Sequence, residues 1–199
     1  MIIEKFLEEE NLMQVKENIV FVHANPEDAS MFHLYDTLLH GENDVYFQTA
    51  KECERLGTDM IKRFILDALR SPHSALFLLK DMNTREIYGH IHIKAGTTGR
   101  SKHRAEIYLG VLKQFQGIGV GKKLMEIADF WVRKEGLERL QLTVFSTNEK
   151  AINFYKKLGF ELEGTLKNAV KMEDGSYRDE LFMGKMVEPI DFNKEEKEV

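Results

Sequence analysis

The spacing of apolar residues changes twice along the chain, and each change marks a different kind of element. Apolar positions at Ile2, Ile3, Phe6, Leu7, Leu12, Met13 and Val15 among many glutamates predict an amphipathic helix over residues 1–16. Ile19-Val20-Phe21-Val22 is a compact buried strand. Asn25-Pro26-Glu27-Asp28 supplies a helix start, with Pro26 near the first helical position. That helix uses Met31, Phe32, Leu34, Tyr35, Leu38 and Leu39, and Gly41 is expected to stop it. A second helix over about residues 49–70 uses Met60, Ile61, Phe64, Ile65 and Leu69, and Ser71-Pro72 ends it.

The period then shortens to two. Ala75–Leu79 and Ile87–Ile93 read as strands joined by a turn at Asp81-Met82-Asn83-Thr84. Ile87, Gly89, Ile91 and Ile93 alternate with Tyr88, His90 and His92, so one face is buried and the other more open. After the polar loop 96–103 come a strand at Ala105–Leu112, a helix over 120–135, a strand at Leu140–Phe145 and a helix at Ala151–Leu158 ended by Gly159. A strand at Phe160–Leu166, a turn at Glu173-Asp174-Gly175-Ser176 and a last strand near Tyr177–Val187 complete the series. This order predicts a mixed α/β sheet and not a regular doubly wound one. Residues 1–17 read as an extension, 18–187 as one domain and 188–199 as a frayed acidic tail.

Composition narrows the function classes. A chain of 199 residues with 43% hydrophobic and 31% charged content can bury one sizeable core. The longest apolar runs are too short to cross a bilayer, and the first residues lack a secretory pattern, so a cytoplasmic location is expected. Cys53 is the one cysteine; it can form no internal disulfide and is expected to pack as a small apolar residue. A net charge of −5 argues against nucleic-acid binding and is mildly compatible with a cationic substrate.

The most informative segment is Val111-Leu112-Lys113-Gln114-Phe115-Gln116-Gly117-Ile118-Gly119-Val120-Gly121-Lys122, where a strand ends and a helix opens on glycines. The first turn of a helix has unpaired N–H groups and a partial positive charge, and glycines let a phosphate approach them. The glycines fall at 117, 119 and 121, which breaks the Gly-x-Gly-x-x-Gly spacing of a dinucleotide site. Gly121-Lys122 is followed by Lys123, which breaks the P-loop pattern. The plain alternative is a tight strand-to-helix turn with no ligand.

The spacing that fits is Gln/Arg-x-x-Gly-x-Gly/Ala, filled by Gln116, Gly119 and Gly121, which resembles the coenzyme A loop of the GCN5-related N-acetyltransferases, the GNAT superfamily. The segment from Leu142 to Phe160, with Asn148, Asn153 and Tyr155, is similar to that superfamily's second block. Glu161–Thr165 and the final hairpin look most like its spermidine and ribosomal-protein N-terminal acetyltransferase branch. The likeness covers roughly residues 85–187.

By that resemblance the chain transfers acetyl from acetyl-CoA directly to a primary amine. Main-chain groups of Gln116, Gly117, Ile118, Gly119, Val120, Gly121 and Lys122 would hold the pyrophosphate. The Val111 backbone would pair with the pantetheine arm, Leu112 and Lys113 would belong to the same cofactor-binding segment, and Lys122 and Lys123 would add positive charge. Asn148 matches a pantetheine-binding asparagine and is equally a good helix N-cap; Asn153 is implicated more weakly. Tyr155 matches the acid that protonates the departing thiolate, against a plain reading as a core aromatic, and Glu106 matches the general base, with His90 and His92 as alternatives. No His/Cys cluster has ligand spacing, so no metal is expected. The acceptor is left open between a polyamine, an amino acid or small amine, and a protein N-terminus. A non-catalytic acyl-CoA-binding module is the competing class, and a homodimer is compatible with the family.

Overall fold

The computed structural model describes residues 18–42 and 44–191. The expected helix over 1–16 and the end of the acidic tail lie outside them. Seven strands form one sheet in the order β1-β2-β3-β4-β5-β7-β6. They are β1 (Ile19–His23), β2 (Ala75–Asp81), β3 (Ile87–Ala95), β4 (Arg104–Val111), β5 (Arg139–Phe145), β6 (Glu161–Lys171) and β7 (Tyr177–Met186). Every neighbouring pair is antiparallel except β4 and β5. The helices are α1 (Ala29–Glu42), α2 (Ala50–Arg70), α3 (Val120–Lys134) and α4 (Glu149–Lys157).

The two faces of the sheet are covered separately. On one face Leu76, Leu78 and Ile87 pack with Phe32, Tyr35 and Leu39 of α1 and Ile61 and Ile65 of α2. On the other, Phe77, Leu79, Ile91 and Ile93 pack with Val120, Leu124, Ile127 and Ala128 of α3 and Tyr155 of α4. Alternation from Gly89 to Ile93 of β3 makes this possible, because residues two apart share a face. The register shift against β2 at Leu79/Lys80 moves Ile87 to the other face, away from the side expected for it with Ile91 and Ile93. The more open face of β3, with His90 and His92, turns toward α1 and α2.

The start of α1 is fixed by a buried ion pair. Asn25 and Asp28 form a reciprocal capping box around a short 3-10 turn. The Asp28 carboxylate then takes the Lys80 ammonium at 2.7 Å, with the Asp28 side chain only 1% exposed. A buried charge left alone is costly, so this pair ties the helix start to β2.

Several boundaries differ from the sequence pattern for physical reasons. Gly41 does not stop α1, which runs on to Glu42. Helix α2 carries Thr49 as N-cap, but Gly57 interrupts it at φ 71° and ψ 156°. Strand β6 extends to Lys171 and shifts register twice along β7, with Asn168 at positive φ. Such bulges add residues that simple alternation does not count. The tail is tied down as far as Ile190: its N–H donates to the Arg133 carbonyl at 3.0 Å, and Arg133 Nε donates to the Glu188 carbonyl at 2.8 Å.

Candidate active site

The parallel pairing of β4 with β5 runs only from Arg104↔Arg139 to Glu106↔Gln141. Both strands continue beyond that point, β4 to Val111 and β5 to Phe145. The sheet therefore opens into a wedge. Which main-chain groups it exposes follows from the flanking bonds. Leu112 N–H donates to the Tyr88 carbonyl on β3 at 3.0 Å, so even-numbered residues of β4 face β3. The His103 carbonyl accepts from Glu138 and Arg139, so odd-numbered ones face β5. Leu109 and the Val111 N–H thus point into the wedge with no strand partner among the described residues. The Val111 carbonyl is already taken by Gln116 Nε2 at 2.8 Å. A buried main-chain group normally finds a partner, so this edge is a ready template for a ligand carrying amides.

At the open end of β4 the chain turns into α3. Gly117 and Gly119 sit at φ 79° and 95°, a region that costs an ordinary residue roughly 1–2 kcal/mol. Gly119 is the N-cap of α3 and provides no side-chain cap, and no acidic residue stands in the first turn. The first N–H bonded within the helix is that of Lys123, to the Gly119 carbonyl at 3.0 Å. The N–H groups of Val120, Gly121 and Lys122 are left to attract an anion. A Cβ at Gly121 would meet Phe154 at 3.5 Å, an ordinary contact, which agrees with a Gly/Ala motif position.

A cleft of about 1390 Å³ runs through the wedge from one face of the sheet to the other. Its lower half is lined by Val111, Gln116, Gly119, Gly121, Thr143, Asn148, Phe154 and Tyr155, with Lys122, Lys150 and Lys157 supplying positive charge. Its upper half lies under α1 and α2, between Phe32, Asp36, His40, Tyr46, Phe64, His92 and Tyr108. The volume exceeds that of an ordinary pocket for one small ligand, about 300–1000 Å³. Two reactants can meet in it.

The expected residues divide in three. Val111, Gln116, Gly117, Gly119, Gly121, Lys122, Asn148 and Tyr155 line the cleft. Val120 contributes its first-turn N–H, while its side chain is buried in the core. Asn148 caps α4, its side-chain oxygen accepting from the Ala151 N–H at 3.2 Å, so capping and cleft lining coincide in one residue. The remainder lie elsewhere. The Leu112 N–H is bound to Tyr88, and the Lys113 N–H donates to the Glu42 carboxylate at 2.8 Å, so neither is free for a ligand. Ile118 and Asn153 are exposed and outside the lining, and Lys123 is buried on the helix flank near Glu126. Glu106 sits where β4 and β5 still pair, outside the lining, with its carboxylate against the Tyr108 hydroxyl.

Burial tunes the groups that remain. Tyr155 is 9% exposed, belongs to the core and also faces the cleft. Burial, and then the nearby Tyr46, raise its pKa, so its hydroxyl stays protonated. Tyr46 itself is pushed up to about 12 by burial and by the charges of Glu42 and Asp36. Burial raises the Asp36 pKa, an effect that neighbouring His40 opposes. Cys53 is buried and its thiol is pushed up to about 12, as suits a packing residue.

His90 and His92 are held neutral, burial lowering their pKa values to about 3 and about 4. In the unfolded chain each titrates near 6.5, so below that pH the unfolded state binds the extra protons. Stability is therefore expected to fall with pH from about 6.5 toward 4, by about 1.4 kcal/mol per unit for each histidine. Urea denaturation at pH 7 and 5 measures this, and His92→Phe should flatten the slope.

Sequence reasoning missed Asp36, His40, Tyr46, Lys150, Phe154 and Lys157. Lys150, Phe154 and Lys157 carried a usable signal, because spacings of four and three place them on one stripe of α4. Tyr46 lies between helices and carries no periodicity.

Comparison with known proteins decides the family. The model of the acetyltransferase (GNAT) family matches residues 31–160. The chain belongs to the GNAT family. An L-amino acid N-acetyltransferase of Escherichia coli is 35% identical over 105 residues, which are 51% of this chain and 62% of that protein. A spermidine N(1)-acetyltransferase of the same organism is 36% identical over 81 residues, 40% of this chain and 43% of its own length. Both matches thus span less than two thirds of the relative. Among solved structures, a GNAT-family acetyltransferase of Streptococcus pneumoniae superposes with a TM-score of 0.78 at 26% identity, over 85% of this chain and 99% of that one. The seven-stranded sheet with its wedge between β4 and β5 is the GNAT fold in this chain.

Proposed function

We propose that this chain is an acetyl-CoA-dependent N-acetyltransferase acting on a primary amine. One observation carries the reading: unpaired main-chain groups of β4 and the uncapped start of α3 open into the same cleft. The pantetheine arm of acetyl-CoA bears two amides that the wedge edge at Leu109 and Val111 can pair. Its diphosphate suits the N–H groups of Val120, Gly121 and Lys122, with Lys122 and Lys150 near by. Lys150 Nζ already donates to Gln116 Oε1 at 2.6 Å, which holds it at the mouth of the loop.

With the donor so placed, its thioester lies beside Tyr155. The amine nitrogen attacks the carbonyl carbon, a C–N bond forms, and the C–S bond breaks as the thiolate takes a proton from Tyr155. A tyrosine with a raised pKa gives up its proton unwillingly, so the transfer is coupled to recovery of a proton from the nitrogen, which becomes more acidic as it bonds to carbon. Among the described residues of the cleft, Asp36 and Asp67 are the carboxylates, and the upper walls are mainly apolar. A compact amine with one ammonium suits such walls better than a long polycation, which needs several carboxylates.

The test has two parts. Calorimetric titration with acetyl-CoA should show saturable binding, with a matching rise in Tm. Thiol release should then depend on an added amine, compact amino acids exceeding spermidine. Binding without turnover on any amine would favour the non-catalytic module, and absence of binding would remove the proposal.

A further inference from the structure

The cleft needs a group that strips the ammonium of its proton, and Glu106 does not line it. We infer that His40 is the proton acceptor for the incoming amine and that Asp36 positions it, an inference that rests on the acetyltransferase reading above.

The geometry begins with helix spacing. Asp36 and His40 stand four residues apart on α1, so their side chains meet on one face. His40 Nδ1 lies 2.7 Å from the Asp36 main-chain carbonyl, and a carbonyl can only accept. Nδ1 therefore carries the hydrogen, and Nε2 of the neutral ring keeps the lone pair a base requires. The Asp36 carboxylate stands 3.4 Å from the same Nδ1, placed to stabilise the ring once it is charged. Tyr46 packs against the His40 ring at 4.8 Å between centroids and is also the neighbouring phenol that, after burial, helps raise the pKa of Tyr155. The base and the acid thus flank one residue in one cleft.

Competing groups are engaged otherwise. His90 Nδ1 is bonded to the Tyr35 hydroxyl at 2.9 Å, with the ring edge-on to Phe32. His92 is stacked on Tyr108 and meets Phe64 edge to face. Asp67 is solvent-exposed on α2. The titratable groups around the His40–Asp36 pair are His33 of α1, Tyr46 of the linker with Glu42 beside it, Cys53 of α2 and His90 of β3.

The protons balance. The ammonium gives one to His40 Nε2, which later passes it to water. The neutral amine then attacks, and its second proton replaces the one that Tyr155 gives to the thiolate. The products are the acetamide, the free thiol and one proton in solution.

The experiment compares wild type, His40→Gln, Asp36→Asn and Glu106→Gln with one amine that the wild type acetylates. Acetyl-CoA affinity, measured by calorimetry, should be the same for wild type and His40→Gln; failure of the wild type to bind or turn over would count against the acetyltransferase reading and not against this one. The wild-type pH profile of kcat/KM should show an acidic limb. His40→Gln should lose the limb and about 10²- to 10⁴-fold in rate at neutral pH. Asp36→Asn should move the limb to lower pH, and Glu106→Gln should keep it. Nitrogen NMR of the wild-type protein, which needs no variant to fold, should report hydrogen on Nδ1 of neutral His40. A normal limb in His40→Gln, its loss in Glu106→Gln, or hydrogen on Nε2 would overturn the assignment.

Discussion

Replacing Tyr155 with phenylalanine is expected to lower kcat by about 10²- to 10⁴-fold, the range for loss of a positioned acid. The ring fills the core side of α4 against Phe154 and Phe160, at 5.3 and 5.8 Å between centroids, and phenylalanine keeps that packing. Only the hydroxyl is lost. It has no hydrogen-bond partner among the described residues and faces the cleft, so stability should hardly change. Affinity for acetyl-CoA should hold as well, because the wedge edge and the α3 N-terminus are untouched. Single-turnover kinetics beside a thermal melt separates these effects. A fall in Tm with no fall in rate would return Tyr155 to the role of core aromatic.

A size series at Gly121 should divide binding from folding. Alanine is expected to be nearly neutral, since its Cβ would stand 3.5 Å from Phe154 in ordinary contact. Valine adds two methyl groups beside the N–H groups that the diphosphate requires. Loss of two charge-assisted hydrogen bonds, each worth about 1.5–3 kcal/mol, corresponds to roughly 10²- to 10⁴-fold in acetyl-CoA affinity. The first turn of α3 should still form, because the valine backbone is allowed there. Calorimetry of the three proteins checks the order. Equal affinity for glycine and valine would place the diphosphate elsewhere.

Much of the frame was legible because apolar spacing reports it directly. The switch from helical to strand period after Ser71, and the return to helical period at Val120, gave the order of elements found. The glycine loop was legible for a different reason: Gly117 and Gly119 occupy backbone regions that other residues avoid. What the sequence hid depends on pairing across space. Where β4 and β5 part is set by their register, and that decides why Glu106 stays outside the cleft while Tyr108 lines it. The capture of the Lys113 amide by Glu42 joins residues 71 apart in the chain. His40 carries no signal alone; its meaning comes from Asp36 one turn earlier and from the fold of α1 over the wedge.

Amide hydrogen exchange with and without acetyl-CoA tests the central claim most directly, because that claim concerns main-chain N–H groups. Exchange at Leu109, Val111, Val120, Gly121 and Lys122 should slow together on saturation, while amides already bonded, such as those of Leu112 and Lys113, change little. Unchanged exchange at those five positions in a protein saturated with acetyl-CoA would contradict the account.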